Sequence, residues 1–378
     1  MSGWPRVAVL DAVLDVTPGG RGIPRSRYLD SGAVPVVDQG RARIAGYTDD
    51  LDRAYTGPLP VLVFGDHTRL VDYVDFRFAP GAEGVRVLCA RPGFDTRYLC
   101  HALGALPLPE AGYARYYKFL KEAELPAPPL PTQRRIAELL DSVETLRAER
   151  TTSLELAEEL VRSVFYETFG PELEWPLVSL ESVARFHSGT TLPVGAAFTG
   201  QPSGHLLLKV ADLTAEGNDL EIATARSWSA TPGTRAASCP AGCVVFPKRG
   251  GAIATNKKRL TVRPAVLDPN LMAIRPHGVE LRYLFEWLRG LDLLTLATGS
   301  SVPQINKKDL APLLVPIPPR ELQRAFARRA EILYARCRTL RAQLSEFDAL
   351  AATLRHRFFG AERSSPSRPE PADRYSSG

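Results

Sequence analysis

The sequence predicts an α+β protein in which two α/β domains, related by pseudo-twofold symmetry, are joined by two long helices. Two observations lead to this prediction. The first is a tandem repeat, in which a proline-rich segment and the helical pattern after it recur 190 residues later. The second is an apolar side chain at every seventh position of both helical segments, the spacing by which coiled-coil helices pack.

The proline-rich segment occurs as LPAPPLPTQRRIAELL at residues 125–140 and as VPIPPRELQRAFARRA at residues 315–330. The two copies align without a gap, and the same register continues to a Phe–Gly pair at residues 169–170 and 359–360. A shorter similarity links WPRVAVLDAV, near the start of the chain, with WPLVSLESV after the first helix. The chain is therefore predicted to contain two tandem units, each a globular region followed by a helix that begins after the prolines.

Each predicted unit ends in a long helix. The first is expected from about Thr132 to Phe169 and the second from about Glu321 to Phe359, each stopped by a glycine. The apolar stripes consist of Ile136, Val143, Ala157 and Val164 in the first helix, which Arg150 interrupts, and of Phe326, Leu333, Leu340, Phe347 and Leu354 in the second. Because the first helix is net acidic and the second net basic, we expect them to pair with each other. The alternative is that each helix lies on its own globular domain.

Region one, up to Glu124, has fifteen basic and fifteen acidic residues, so its net charge does not indicate nucleic-acid binding. Local groups are the candidates for DNA contact, namely Arg21, Arg25, Arg27, Arg41, Arg43, Arg69 and Lys118. His67, between two predicted paired strands, is the strongest candidate for a general base because Asp66 precedes it. Neighbours along a strand point to opposite faces, so a structural turn or a DNA contact is the favoured interpretation of His67.

Region two carries fifteen basic and twelve acidic residues over residues 172–318, and its candidates fall in two loops. The first loop, FPKRGGAIATNKKRLTV, contributes Lys248, Arg249, Asn256, Lys257, Lys258 and Arg259, and the second, SVPQINKKDL, contributes Gln304, Asn306, Lys307 and Lys308. Basic side chains suit phosphates, an amide can contact a base edge, and the glycine pair at 250–251 permits close backbone approach. The alternative is a solvated hairpin with no partner.

Several kinds of active site are missing from the sequence. There is no phosphate-binding GxxxxGK[ST] loop and no HExxH, and no acid stands two residues before any of the eight lysines, as a common nuclease motif requires. The stretch Asp268–Leu271, DPNL, lacks the second proline and the aromatic residue of an adenine methyltransferase motif. The five cysteines form no zinc pattern and are interpreted as structural thiols. We expect no catalytic residue and no metal.

Without a signal peptide or a membrane span, the protein is expected to be cytoplasmic. Three hypotheses remain from the residues alone. The first is a DNA-binding protein without catalytic activity, the second is an enzyme with an unrecognised site, and the third is a coiled-coil scaffold that binds proteins.

Several segments, in this order, resemble the DNA specificity subunits of type I restriction-modification systems. They are DQGRARIAGYTDD, VLVFGDHTRLVDYVDFRFAPGAEGVRVL, GYARYYKFLKEAELPAPPLPTQRRIAELLD, FPKRGGAI and GSSVPQINKKDLAPLLVPIPP. The resemblance covers the chain apart from its C-terminal tail. In one respect the chain departs from the family pattern: its second helix has RELQRAFARRAE where the first has LPTQRRIAELLD, which predicts that one partner-docking surface has diverged.

The resemblance implies target-recognition domains at 1–124 and 172–314, each followed by a proline hinge and a spacer helix, at 125–171 and 315–360. The tail, 361–378, is expected to be disordered. The helices would be antiparallel and would set the gap in a bipartite DNA target. The expected partners are double-stranded DNA, two adenine methyltransferase subunits and the restriction subunits, and S-adenosylmethionine, ATP and Mg²⁺ would be cofactors of those partner subunits.

Overall fold

The computed structural model describes residues 4–20, 22–109, 114–170, 174–298 and 302–360. They form two compact units. Unit 1 comprises the chain up to Thr151 together with the chain from Ala342 onward, and unit 2 comprises Thr152–Arg341. Two expectations from the sequence, Arg21 as a DNA contact and disorder of residues 361–378, lie outside the described residues.

Unit 1 contains two sheets and a two-stranded ribbon. Its strands are β1 (Arg6–Ala8), β2 (Val13–Asp15), β3 (Val34–Val37), β4 (Gly46–Thr48), β5 (Val61–Gly65), β6 (Val71–Val74), β7 (Ala79–Pro80), β8 (Val85–Ala90) and β9 (Glu124–Pro126). Its helices are α1 (Val9–Ala12), α2 (Thr96–Gly104), α3 (Tyr117–Glu122), the first part of α4 (Leu130–Phe169) and the second part of α8 (Arg320–Phe359). The sheets have the orders β2-β8-β5-β6 and β4-β3-β7, and β1 pairs with β9.

Unit 2 repeats this architecture with additional strands. Its strands are β10 (Leu177–Ser179), β11 (Ala184–Ser188), β12 (Ala196–Ala197), β13 (His205–Leu208), β14 (Glu221–Ile222), β15 (Ser227–Ser229), β16 (Ser238–Cys239), β17 (Val244–Pro247), β18 (Arg259–Thr261), β19 (Ala265–Leu267), β20 (Leu271–Pro276) and β21 (Leu314–Pro316). Its helices are α5 (Leu180–Val183), the second part of α4, α6 (Leu281–Gly290), α7 (Lys307–Leu310) and the first part of α8 (Arg320–Phe359). The sheets have the orders β11-β20-β17-β18-β14 and β12-β15-β13-β19-β16, and β10 pairs with β21.

The duplication inferred from sequence is a duplication of topology. The order β2-β8-β5-β6 in unit 1 matches β11-β20-β17-β18 in unit 2, and β4-β3-β7 matches β15-β13-β19. In both units the second of these sheets contains one parallel pair, β3 with β7 and β13 with β19. The fold-class prediction of an α+β protein with two long helices is confirmed.

Strand β5 shows why these sheets are stable. All five of its residues are buried, so both faces of the sheet must be covered. Leu62 and Phe64 belong to the same apolar cluster as Tyr98 of α2, whereas Val61 and Val63 belong to a different cluster. Because side chains alternate along a strand, each cluster occupies one face, and the continuous apolar run VLVF is what two-sided burial requires.

Both long helices begin and end within two residues of their predicted bounds. Within unit 1, Arg147 of α4 forms an ion pair with Asp348 of α8 over 2.6 Å, and Glu144 of α4 pairs with Arg355 over 2.8 Å. From Glu144 to Arg147 along α4, the partner residues move back along α8 from Arg355 to Asp348, so the two segments are antiparallel. Phe359 of α8 also lies in the core of the unit 1 domain, so the helices pack both on each other and on the globular part.

Within unit 2, the second part of α4 packs against the first part of α8. The rings of Phe165 and Phe169 on α4 lie 5.4 Å and 5.5 Å from the ring of Phe326 on α8, centroid to centroid. Glu158 and Arg341 form an ion pair between the same two segments. The predicted pairing of the two helices is therefore confirmed within each unit. Among the described residues, no helix is both long and apolar enough to span a membrane.

Candidate nucleic-acid interface

In unit 2 the two basic loops singled out in the sequence form one edge. The backbone N–H of Ile305 donates to the carbonyl oxygen of Lys248 over 2.8 Å, and that of Gly250 donates to Pro303 over the same distance. Gly250 has φ of +77°, a conformation that glycine adopts without strain. These hydrogen bonds join segments more than fifty residues apart, so that Arg249 lies directly opposite Gln304.

Unit 1 builds the same edge from different residues. The N–H of Tyr116 donates to the carbonyl oxygen of Asp66 over 2.7 Å, and the N–H of Tyr117 donates to the Asp66 carboxylate over 2.7 Å. The Nδ1 atom of His67 lies 3.3 Å from the carbonyl oxygen of Ala114. In both units, then, the chain leaving the central strand, β5 or β17, is tied to the segment that leads into a short helix, α3 or α7. We call these the unit 1 edge (residues 66–69 and 114–118) and the unit 2 edge (residues 248–250 and 302–308).

The unit 2 edge is basic. Arg249 and Lys308 are exposed and form no ion pair with any described residue. Lys307 lies 3.7 Å from the carboxylate of Glu181, and both side chains are more than half exposed, so this pair contributes little and leaves Lys307 accessible. Three accessible cationic side chains on one short edge suit a phosphodiester backbone.

Three polar side chains on this edge are pre-organised. The Nζ of Lys248 donates to the Ser188 hydroxyl over 2.5 Å, and burial lowers the pKa of this lysine. The Nε2 of Gln304 donates to the Oδ1 of Asn306 over 2.9 Å. Asn306 is also the N-cap of α7, with its backbone N–H bonded to the carboxylate of Asp309 over 2.7 Å. These contacts fix the side chains before any ligand arrives.

Three of the predicted contact residues in the first unit 2 loop make hydrogen bonds within the protein. Lys258 is only 3% exposed, and its Nζ donates to the carbonyl oxygen of Leu291 over 2.6 Å and to the Oδ1 of Asn256 over 2.7 Å. Burial lowers the pKa of Lys258 to about 8. The guanidinium of Arg259 donates to the carbonyl oxygen of Asn218 over 2.8 Å. Asn256, Lys258 and Arg259 therefore hold the loop together. The buried Lys258 is removed from the candidate contacts, whereas Asn256 stays exposed and Lys257 and Arg259 half-exposed.

The predicted basic residues of unit 1 fall into two groups. Arg69 and Lys118 lie on the unit 1 edge with His67, where the Arg69 guanidinium stacks over the Tyr116 ring at 5.1 Å. Lys118 lies 4.6 Å from the ring centre of Phe119. The remaining group lies on earlier loops and consists of Arg25, Arg27 and Arg41, which are exposed and have no ion pair among the described residues, and Arg43, which pairs with Asp75 over 3.2 Å.

Sequence analysis overlooked Arg115. This residue is exposed on the unit 1 edge and forms no ion pair within the described residues. Together with His67 and Arg86 it lines a cavity of about 430 Å³ whose lining also includes several glycines. The signal was available, because Arg115 stands in the segment GYARYYKF that carries the family resemblance.

One group of side chains has the composition of a metal site. Atoms of His101, Asp141 and Glu144 lie within 4.8 Å of one another in unit 1. Each carboxylate already has an arginine partner, because Asp141 accepts from Arg97 over 3.1 Å and Glu144 from Arg355 over 2.8 Å. We therefore interpret the group as an ion-pair network. The buried thiols Cys239 and Cys243 lie beside each other in unit 2, and a hydrogen bond and burial raise the pKa of Cys239.

No protein-family model matches the chain. A curated relative does match: the type I restriction enzyme EcoR124I/EcoR124II specificity subunit of Escherichia coli, 24% identical over 317 residues. The alignment covers 77% of this chain and 77% of that protein. The chain is thus similar in sequence to a type I specificity subunit over about three quarters of its length. This similarity agrees with the resemblance found in the sequence segments.

Solved structures show the same fold. A specificity subunit from M. genitalium superposes with a TM-score of 0.66 at 14% identity, over 94% of this chain and 96% of that chain. A chain from a structure on complex assembly and conformational transition of a type I restriction-modification system superposes with a TM-score of 0.51 at 18% identity, over 94% and 97% of the two chains. The specificity-subunit fold thus extends over almost the entire length of this chain.

Proposed function

We propose that this specificity subunit recognises a bipartite double-stranded DNA target, with each unit contacting one half-site through its edge. The observation that supports this most directly is that one chain builds the same edge twice, with different side chains on each. Similar backbone hydrogen bonding on the two edges supports a similar approach of each unit to DNA, and the different side chains would then select different bases. The two half-sites are therefore expected to differ.

Two kinds of contact are assigned to each edge. Arg249, Lys307 and Lys308 in unit 2, with Arg69 and Lys118 in unit 1, are phosphate contacts, because they are cationic and accessible. Gln304 and His67 are candidates for base edges, because side-chain amides and imidazoles present directional donors and acceptors. The remaining loops of unit 1 are assigned to phosphates that flank the half-site, through Arg25, Arg27, Arg41 and Arg43.

The chain itself is the non-catalytic subunit. We propose that it directs adenine N6 methylation through two methyltransferase subunits, and ATP-dependent cleavage when restriction subunits join. S-adenosylmethionine, ATP and Mg²⁺ would be bound by those partners, and the assembled complex would act in the cytoplasm. Large exposed apolar side chains on the long helices support docking of partners there, for example Leu156 on α4 and Ile332 on α8, 61% and 72% exposed.

The test is a reconstitution with purified methyltransferase subunits followed by mapping of N6-methyladenine on genomic DNA. A single motif with two unlike half-sites and a fixed gap is expected. Replacing residues 6–126 with the corresponding region of another specificity subunit should change one half-site and leave the other intact. Methylation or cleavage by this chain alone, with S-adenosylmethionine and Mg²⁺, would contradict the proposal, as would a motif with a single contiguous site.

A further inference from the structure

The helices α2 and α6 dock onto the long helices in the same register. Both contain the triplet Arg-Tyr-Leu, at residues 97–99 and 282–284. The Tyr98 hydroxyl donates to the carbonyl oxygen of Pro126 over 2.8 Å, and the Tyr283 hydroxyl donates to Pro316 over 2.5 Å. The first residue of each triplet pairs with an acid on a long helix. Because Pro126 and Pro316 are equivalent in the repeat, α2 and α6 occupy equivalent places in their units.

One turn further along, the chemistry of the two docking sites differs. In unit 1 this position is His101, whose Nε2 lies 2.7 Å from the Asp141 carboxylate and whose Nδ1 lies 3.8 Å from that of Glu144. In unit 2 the same position is Glu286, which accepts a hydrogen bond from the hydroxyl of Tyr334. Glu144 and Tyr334 are equivalent in the 190-residue repeat. A histidine that faces two carboxylates in unit 1 is thus replaced by a glutamate that faces a phenol in unit 2.

The surrounding charges strengthen this difference. Glu286 is 4% exposed, and its second oxygen accepts from Arg289 over 3.1 Å. The residue of unit 1 equivalent to Arg289 is Gly104, so unit 1 offers no matching cation from α2. The pair Arg97–Asp141 in unit 1 and the pair Arg282–Glu331 in unit 2 are alike in charge. Those two similar pairs would hold either domain on either long helix. The residue one turn later on α2 or α6 distinguishes the two docking sites.

We infer that two residue pairs determine which segment of the long helices each recognition domain docks onto. The pairs are His101 with Glu144 in unit 1 and Glu286 with Tyr334 in unit 2. If the unit 2 domain docked at the unit 1 segment, Glu286 would be buried against Asp141 and Glu144. Glu286 would keep Arg289 of its own helix as a partner, but it would be buried beside two half-exposed carboxylates, which is unfavourable through both like-charge repulsion and desolvation. A chain with two similar domains and two similar helices needs such discrimination, because mispairing of domains is a typical failure of duplicated proteins.

The decisive variant is a chain in which residues 177–316 replace residues 6–126, so that the unit 2 domain precedes α4. This exchange places Glu286 opposite Glu144. We expect the exchanged chain to unfold at a lower temperature than the natural chain, and Glu144→Tyr to recover at least ~3 °C of the loss, since that substitution restores the partner that Glu286 has in unit 2. The matched control is Glu138→Tyr, the same substitution at an exposed position of α4, and it should recover nothing.

A double-mutant cycle in the natural chain tests the role of the unit 1 pair in docking without moving a domain. His101→Glu should lower the unfolding temperature by about 5 °C and speed hydrogen exchange in residues 96–104. Adding Glu144→Tyr should restore part of this loss, and His101→Gln, which introduces no charge, should cost less than His101→Glu. The inference is overturned if the two substitutions are additive, or if Glu138→Tyr rescues as well as Glu144→Tyr. Because the readout is stability, the outcome does not depend on the proposed DNA recognition.

Discussion

Gln133 donates its side-chain amide to the carbonyl oxygen of Pro128 over 2.8 Å while its own side-chain oxygen accepts the N–H of Asp95 over 2.9 Å. Gln323 repeats both contacts in unit 2, with Pro318 and with the N-cap residue of α6. Both glutamines are buried. One side chain therefore joins the proline segment, the start of the domain helix and the first turn of the long helix. The prolines do more than stop an upstream helix: they present the carbonyl groups to which this amide binds.

Gln133→Ala should destabilise the protein by about 1–3 kcal/mol, because it leaves the buried carbonyl oxygen of Pro128 and the part-buried N–H of Asp95 without this partner. Chemical denaturation measures the change, and Gln323→Ala should act alike through unit 2. Glu138→Ala, at an exposed position of the same helix, serves as the control and should change the free energy of unfolding by less than about 0.5 kcal/mol. Equal effects of the two substitutions on α4 would show that the amide does not fix the junction.

The double variant Arg249→Ala/Lys308→Ala should weaken DNA binding uniformly across sequences. Each lost phosphate contact lowers the slope of log affinity against log salt by about 0.9, so the slope should fall by roughly 2. Titrations at several salt concentrations measure it. Arg328→Ala/Arg329→Ala removes two exposed cations from α8 and is the control for net charge. A slope as small in the control as in the double variant would rule out a local phosphate site on the unit 2 edge.

Lys258 gives the protein a pH dependence with a definite sign. Its pKa is lowered from 10.5 to about 8 in the folded state, so the unfolded chain binds more protons between those two values. The free energy of unfolding should therefore rise with pH across about 8 to 10.5 for the natural chain relative to Lys258→Met. Denaturation of both proteins at several pH values gives the difference. A difference that falls with pH, or a Lys258→Met variant that loses DNA affinity without losing stability, would restore Lys258 to the contact set.

Removing seven residues from each long helix should change the gap between the half-sites without changing the half-sites. Seven residues correspond to two turns, so the apolar seam keeps its register while the helix shortens by about 10 Å. Mapping of methylated adenines in the reconstituted complex reports the gap directly. Deletion of four residues from each helix breaks the seam and should abolish activity instead. A changed half-site after the seven-residue deletion would refute the role of the helices as spacers.

Local patterns in the sequence determined the duplication, the two long helices and their bounds. The apolar heptads, and the prolines and glycines that bound each helix, are signals that depend on only a few turns of chain. The repeat can be recognised from its fixed spacing without information on tertiary contacts. The same patterns identified LPTQRR and its copy as boundaries between a domain and a helix. The paired strands on either side of His67 were also predicted, since two apolar runs joined by a polar turn indicate strands that pair.

Tertiary structure alone decided which polar side chains act inside the protein. Lys258 and Lys308 are both lysines in basic loops, yet the first is buried against the carbonyl oxygen of Leu291 and the second is exposed. That difference depends on a chain segment thirty-three residues away, and no local pattern encodes it. The surroundings of His101 and Glu286 are likewise determined by partners on the long helices, which lie far along the chain. Burial and long-range hydrogen bonds set the environment of a charge, so the sequence could predict where the charges lie but not which of them contact a ligand.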